Sequence, residues 1–161
     1  MNRDSNMYTF LFVGIMVIGI ASILAFTSQT LKPMQKENVK NEKMQNILST
    51  VGINVSREEA KDLYSKYITE ELALKIDGTV NSSINPFSDL NLAKEIKKDY
   101  SDQHFPLYIA EIDYEKYYII ELRGVGLWDA IWGYMSLKSD FNTINGAVSY
   151  THLTLPTKRI V

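Results

Sequence analysis

The sequence predicts an α+β fold: a single amino-terminal transmembrane helix, then a small helical region, then an antiparallel sheet. Three observations predict it. Residues 5–31 carry no charged side chain. Residues 31–68 place apolar side chains at helical spacing among polar ones. From residue 105 onward, runs rich in Ile and Tyr are separated by turn residues, and strands that follow one another directly pair antiparallel.

Within the uncharged run, "FLFVGIMVIGIASILAF" (10–26) is almost wholly apolar. About 20 such residues in a helix cross a ~30 Å hydrocarbon core. Gly14 and Gly19 are compatible with this, because lipid satisfies no backbone polar group and so enforces helix even at glycine. A cleaved signal peptide has a shorter apolar core, ~7–15 residues, before a small-x-small site. Here the run is longer and passes directly into "TSQTLKPMQKENVKNEKMQNIL". A retained single-pass anchor and its tip are therefore expected over 1–30. Lys32, Lys36, Lys40 and Lys43 follow the span and only Arg3 and the terminal amine precede it. Counted alone, those lysines place the remainder of the chain in the cytoplasm.

A juxtamembrane helix is expected over 31–53, with Met34, Met44, Ile47, Leu48 and Val51 available for one face and Pro33 near a start or kink. It is either a stalk that meets a partner or a solvated helix packed on its own domain. "NVSREEAKDLYSKYI" (54–68) opens with Ser56-x-x-Glu59, the spacing of a capping box, and predicts a helix. "LALKIDGTVN" (72–81) predicts a strand that reaches an Asp77-Gly78 turn. "NPFSDLNLAKEIKKDY" (85–100) predicts a helix after Pro86, capped by Ser88 or Asp89. "FPLYIAEIDYEKYYIIELRG" (105–124) predicts two strands around residues 113–116. A third is expected over 131–140 and a fourth over 141–148, with a turn near Asp140-Phe141-Asn142. The tyrosines and isoleucines read as sheet core and cross-strand pairs, without chemistry of their own.

Composition narrows the function. The 161 residues, 18.4 kDa in all, hold one modest domain plus an anchor. A net charge of -2 and a pI near 5.7 give no reason to expect nucleic acid. The absence of cysteine excludes disulfides, thiolate metal sites and Cys nucleophiles. His104 and His152 are too far apart for a metal motif and read as surface or loop histidines. No catalytic residue and no metal ligand is assigned.

The unusual stretch is "ELRGVGLWDAIWGYMSL" (121–137), which mixes three glycines with both tryptophans of the chain. Such a mixture of extremes is rarely plain core. The end of the chain is unusual in another way. Residues 148–157 coincide with one reading frame of a common transposase sequencing adapter, GTC TCT TAT ACA CAT CTG ACG CTG CCG ACG. Residues 148–161 are accordingly expected to be translated adapter, with the native sequence ending at about Ala147.

With the anchor, "KENVKNEKMQNIL", "LRGVGLWDAIWGYMSLKSDFNTINGAV" and their order, the chain resembles the C subunit of the bacterial sodium-translocating NADH:quinone oxidoreductase. The resemblance covers 1 to about 147, and its most specific part is "GVGLWDAIWGY" followed by "NTINGAV". It implies that 54–147 is the first part of a truncated FMN-binding domain. In that family FMN is linked through its phosphate to the threonine of a Ser-Gly-Ala-Thr motif and passes electrons on toward quinone. It further implies partners in the other subunits of the complex and in the lipid bilayer. The bulk of the chain would then lie on the periplasmic side of the bacterial inner membrane, against the lysine count. Ser-Gly-Ala-Thr is absent from the chain, as is the Glu-Thr-Pro-Gly-Leu-Gly stretch expected after "NTINGAV", and Thr143 and Thr151 lack that context. This fragment alone is expected to hold no flavin and to be inactive.

Gly124, Gly126 and Gly133 let backbone approach a planar ligand closely, and Leu127 and Trp128 are the expected flavin neighbours. Without the resemblance, Trp128 and Trp132 read as sheet core and Gly124/Gly126 as a strand-end bulge. Two other functions remain open on sequence. One is the G subunit of an Rnf-type, ferredoxin-linked electron transport complex; the other is a non-catalytic, membrane-tethered interaction domain.

Overall fold

Anchor and juxtamembrane stretch are one helix, α1 (Asn6–Thr50), in the computed structural model, which describes residues 6–127 and 129–151. α1 passes through the boundary between two compact units, residues 1–40 and 41–161. In the first unit its apolar side chains are exposed, and the mean hydropathy of its most apolar window is 2.5. By length and composition this helix can cross a membrane. Pro33 lies inside it, where a missing N–H costs one helical hydrogen bond.

The carboxy-terminal end of α1 belongs to the second unit and is built for a sharp stop. Gly52 takes a φ of 86°, the left-handed backbone that glycine adopts without a Cβ clash. Ile53 N–H then donates back to the Leu48 carbonyl and Gly52 N–H to Ser49, both at 3.1 Å. Those two bonds satisfy carbonyls that the helix end would leave unpaired.

Five strands follow a short helix α2 (Ala60–Tyr67): β1 (Ile68–Lys75), β2 (His104–Ile112), β3 (Glu115–Val125), β4 (Ala130–Leu137) and β5 (Ile144–Thr151). They form one antiparallel sheet in the order β1-β2-β3-β4-β5, so the expected α+β class holds. Helix α3 (Leu92–Glu95) and a 3-10 turn (Tyr100–Asp102) lie between β1 and β2. The core sits between one face of the sheet and the end of α1 with α2. Ile47, Leu48 and Tyr64 meet Tyr108, Ile119 and Tyr134 there. Each such buried side chain contributes ~1.5–3 kcal/mol of transfer free energy.

Several expected boundaries move, each for a local reason. The helix expected over 54–68 starts only at Ala60. Ser56 accepts from the Glu59 N–H at 3.4 Å and donates to its carboxylate at 3.0 Å, so the capping-box pair closes a turn ahead of the helix. The helix expected over 85–100 is reduced to one turn. Asn85 captures the N–H groups of Phe87 and Ser88 at 2.9 Å, an Asx turn that competes with helix, and Asn91 rather than Ser88 or Asp89 provides the cap. β1 begins at Ile68, earlier than expected; Asp77-Gly78 does turn the chain, but beyond it only Val80 bridges back, to Leu74. The last two strands end at Leu137 and begin at Ile144, so β5 includes residues 148–151. His104 is a buried strand-start residue, not a surface histidine: its ring nitrogens meet Asn81 Nδ2 and the Asp102 carbonyl, both at 3.1 Å. His152 lies outside the described residues.

Candidate functional site

β3 and β4 are paired up to Val125 and Ala130, and the chain between them is a short loop. The Gly126 N–H donates to the Asp129 carbonyl at 3.0 Å, which closes that loop. A Cβ at Gly126 would run into the same carbonyl oxygen, so the tight closure requires glycine. Closing the loop so tightly pushes its apolar side chains outward. Val125 and Leu127 are 99% and 92% exposed. Leu127 is therefore on the surface, as a ligand neighbour needs to be, and Trp128 lies outside the described residues.

Beside the loop is an open groove of about 410 Å³ lined by Ile96, Arg123, Gly124, Leu127 and Asp129 among others. That volume falls in the range of small-molecule sites. Arg123 is its cation. The guanidinium lies over the Trp132 ring, 4.4 Å from its centroid, an arrangement that holds it by cation–π attraction. Its Nη1 is buried and has no hydrogen-bond partner. Trp132 thus supports the arginine of this groove, and it also lines a smaller apolar cavity of about 130 Å³ with Leu122, Gly124 and Ile131. An exposed leucine, two glycines and a positioned arginine give the groove apolar surface beside one positive charge.

A second polar group lies under the end of α1. Lys43 Nζ is 3.5 Å from Glu121 Oε2 and 5.0 Å from the Phe87 ring centroid, and the two charged side chains are only 17% and 9% exposed. Tyr64 donates to Glu71 at 2.7 Å. Burial first, and then that carboxylate, push the Tyr64 phenol far above its ordinary range; burial and the Glu121 charge do the same to Tyr108. Both phenols are held in the protonated form as hydrogen-bond donors of the core, Tyr64 to Glu71 and Tyr108 to the Pro86 carbonyl. Among the described residues no cluster of three His, Asp or Glu is placed to hold a metal.

Leu127, expected from the sequence and its resemblance, lines the groove together with Arg123 and Ile96, which the sequence did not single out. Arg123 carries no motif, and only the cross-strand register with Trp132 reveals its place. Ile96 comes from the end of α3, a segment whose approach to the loop is tertiary.

No protein-family model matches the chain. Among curated proteins it is similar to the C subunit of the Na(+)-translocating NADH-quinone reductase of Pseudomonas aeruginosa, 29% identical over 96% of this chain and 67% of that protein. Among solved structures it is similar to the corresponding C subunit from Parabacteroides distasonis. That match has a TM-score of 0.67 and 34% identity, and covers 74% of this chain and 57% of the other. NqrC of Shewanella oneidensis shares the fold, with a TM-score of 0.57 at 24% identity. The chain spans about two thirds of the length of the curated relatives it matches.

Proposed function

We propose that this chain, a homologue of the C subunit of the Na(+)-translocating NADH-quinone reductase, is the flavin-carrying electron-transfer subunit of such a membrane complex. The observation that carries the reading is the match over 96% of the chain, made to a component of an oxidoreductase complex. The relatives are all named as this same C subunit, which favours it over the Rnf-type G subunit and over a non-catalytic interaction domain.

Bound FMN would supply one-electron and hydride chemistry between an NADH-derived donor and quinone. The chain's own residues contribute binding and electrostatics. Gly124 and Gly126 let the backbone come close to a flat ring. Leu127 would cover the ring's apolar surface, the role the sequence reading also gives Trp128. Arg123, held by Trp132, would supply a positive charge to the anionic reduced flavin. The covalent link belongs to a Ser-Gly-Ala-Thr motif that this chain does not contain. α1 tethers the domain to the bilayer, with the sheet on the periplasmic side of the bacterial inner membrane and the other subunits as partners. Sodium coupling is not assigned to this chain, whose span carries no carboxylate.

The test is in-gel flavin fluorescence after co-expression with the flavin transferase. Residues 1–161 should give no fluorescent band, and the same chain extended to the length of its relatives should give one. In the extended protein, Leu127→Ala should shift the flavin's absorbance or reduction potential and leave the melting temperature unchanged. A fluorescent band from 1–161, or an extended protein that never acquires flavin, would overturn the reading.

A further inference from the structure

Lys32, Lys36 and Lys40 stand four residues apart on α1, so they share one face of the helix, and all three are exposed. The next lysine of the series, Lys43, is taken up by Glu121. The remaining ion pairs among the described residues join Arg57 to Glu42, Lys98 to Glu95 and His104 to Glu95, so the three exposed lysines have no carboxylate partner there. Glu37 follows Lys36 directly and is turned about 100° away from it round the helix.

Height along the helix decides what that face meets. The apolar run 10–26 is centred on Ile18. A ~30 Å hydrocarbon core centred there takes ~20 residues of helix, about 8–28, and a headgroup layer of ~5–7 Å follows on each side. At ~1.5 Å per residue, Lys32 is then ~6 Å beyond the hydrocarbon, Lys36 ~12 Å and Lys40 ~18 Å. Helical side chains lean toward the amino-terminal end of their helix, which for α1 is the membrane end. Lys32 therefore lies among the headgroups, and Lys36 reaches back to them on its aliphatic stem, while Lys40 clears them. The Thr27 hydroxyl donates to the Ile23 carbonyl at 2.8 Å and Thr30 to Phe26 at 2.7 Å, so both are satisfied within the helix and the lysines carry the charge at this level.

We infer, on the reading of α1 as a membrane span and independently of flavin, that Lys32 and Lys36 form a docking surface for the phosphates of anionic lipid headgroups. Two ammonium groups without a carboxylate partner meet a negatively charged layer at the height where α1 leaves the hydrocarbon. An acidic segment of another protein would have to enter that same layer, whereas lipid phosphates already occupy it. Such a surface works in either leaflet. On the periplasmic side it gives a use to lysines that, counted as topology signals, oppose that placement.

The absence of native cysteine makes a single fluorescent label a direct test. Gln29→Cys, exposed on the same face one turn before Lys32, carries bimane in the 161-residue chain, reconstituted in phosphatidylcholine vesicles. The quencher is a small fraction of phosphatidylcholine or phosphatidylglycerol with a doxyl group near the headgroup end of one acyl chain. Quenching by the phosphatidylcholine reports that the span is inserted, and any excess from phosphatidylglycerol reports the lysines. At ~0.1 M salt each lysine should enrich phosphatidylglycerol beside the label by up to about fivefold, and ~1 M salt should erase the excess. Lys32→Gln with Lys36→Gln should bring the two lipids level, while Lys40→Gln should keep the preference. Equal quenching in the parent chain would overturn the inference and leave an acidic protein segment as the occupant. So would a preference that survives Lys32→Gln with Lys36→Gln, or one that inorganic phosphate removes at constant ionic strength, the mark of a free-anion site. Absence of quenching by either lipid would overturn the span itself, a result distinct from the others.

Discussion

The Ser136 hydroxyl donates to the Thr50 carbonyl at 2.7 Å, across 86 residues of sequence, and both residues are buried. Thr50 is the last residue of α1, and its carbonyl has no further helical turn to accept from. The Asn145 side-chain amide donates to the same oxygen at 3.2 Å. A helix end is thus satisfied by β4 and β5, and the "NTINGAV" stretch acquires a mechanical meaning.

Gly146 is the tightest point of that junction, because a Cβ there would run into the Thr50 carbonyl oxygen. Gly146→Ala should therefore destabilise the sheet unit by ~1–3 kcal/mol, the usual cost of forcing atoms into a packed site. Ser136→Ala removes one donor and leaves Asn145, so ~1 kcal/mol is expected. Thermal unfolding followed by circular dichroism measures both, and Gly146→Ala should be the worse.

The Lys43–Glu121 pair should behave as a unit. Lys43→Met leaves a nearly buried carboxylate without its cation, a change that costs ~3–5 kcal/mol when one member of a buried pair is removed. Lys43→Met with Glu121→Gln should recover most of that loss. A double-mutant cycle by urea denaturation checks it, and additive losses would show that the pair is not coupled.

Asp140 gives a pH signature. Its carboxylate accepts from the Thr143 hydroxyl first, then from the Thr143 and Asn142 N–H groups, which hold its pKa at about 2, below the ordinary 3.8. A carboxyl depressed on folding stabilises the protein above its unfolded value and loses that contribution as pH falls toward its folded one. Asp140→Ala should therefore lower the melting temperature at neutral pH and cost progressively less below about pH 4, the difference vanishing only as pH falls through about 2.

Membrane orientation is tested by reporter fusions after Lys36. The proposed periplasmic placement requires an active alkaline phosphatase fusion and a dark green-fluorescent-protein fusion. The reverse result would give the four lysines after the span their usual meaning.

Local signals in the sequence were read correctly where chemistry was local. The uncharged run became helix, and the Asp77-Gly78 and residue 113–116 turns fell where expected, Asp113 and Tyr114 taking φ of 52° and 67°. The errors arose where side chains compete with the backbone or where partners are distant. Asn85 diverted a helical pattern by capturing two N–H groups, and β1 extended to Ile68 because its partner Ala110 lies more than forty residues on. Leu127, which the resemblance implied as a flavin neighbour, lines the groove, while the place of Arg123 needed Trp132 opposite it.

Strand order equals sequence order throughout the sheet, with each strand paired to the next. No strand waits for a later one to fill a gap beside it, so a chain emerging amino-terminus first can pair one hairpin at a time, the last three closed by few residues and the first by the long segment that carries α3. What such stepwise growth cannot complete early is the junction at Thr50, whose partners Ser136 and Asn145 come from the last two strands. A chain cut before β5 keeps the apolar seat of the α1 end on β2, β3 and β4 and the Ser136 donor, and loses the second donor to the Thr50 carbonyl, Asn145.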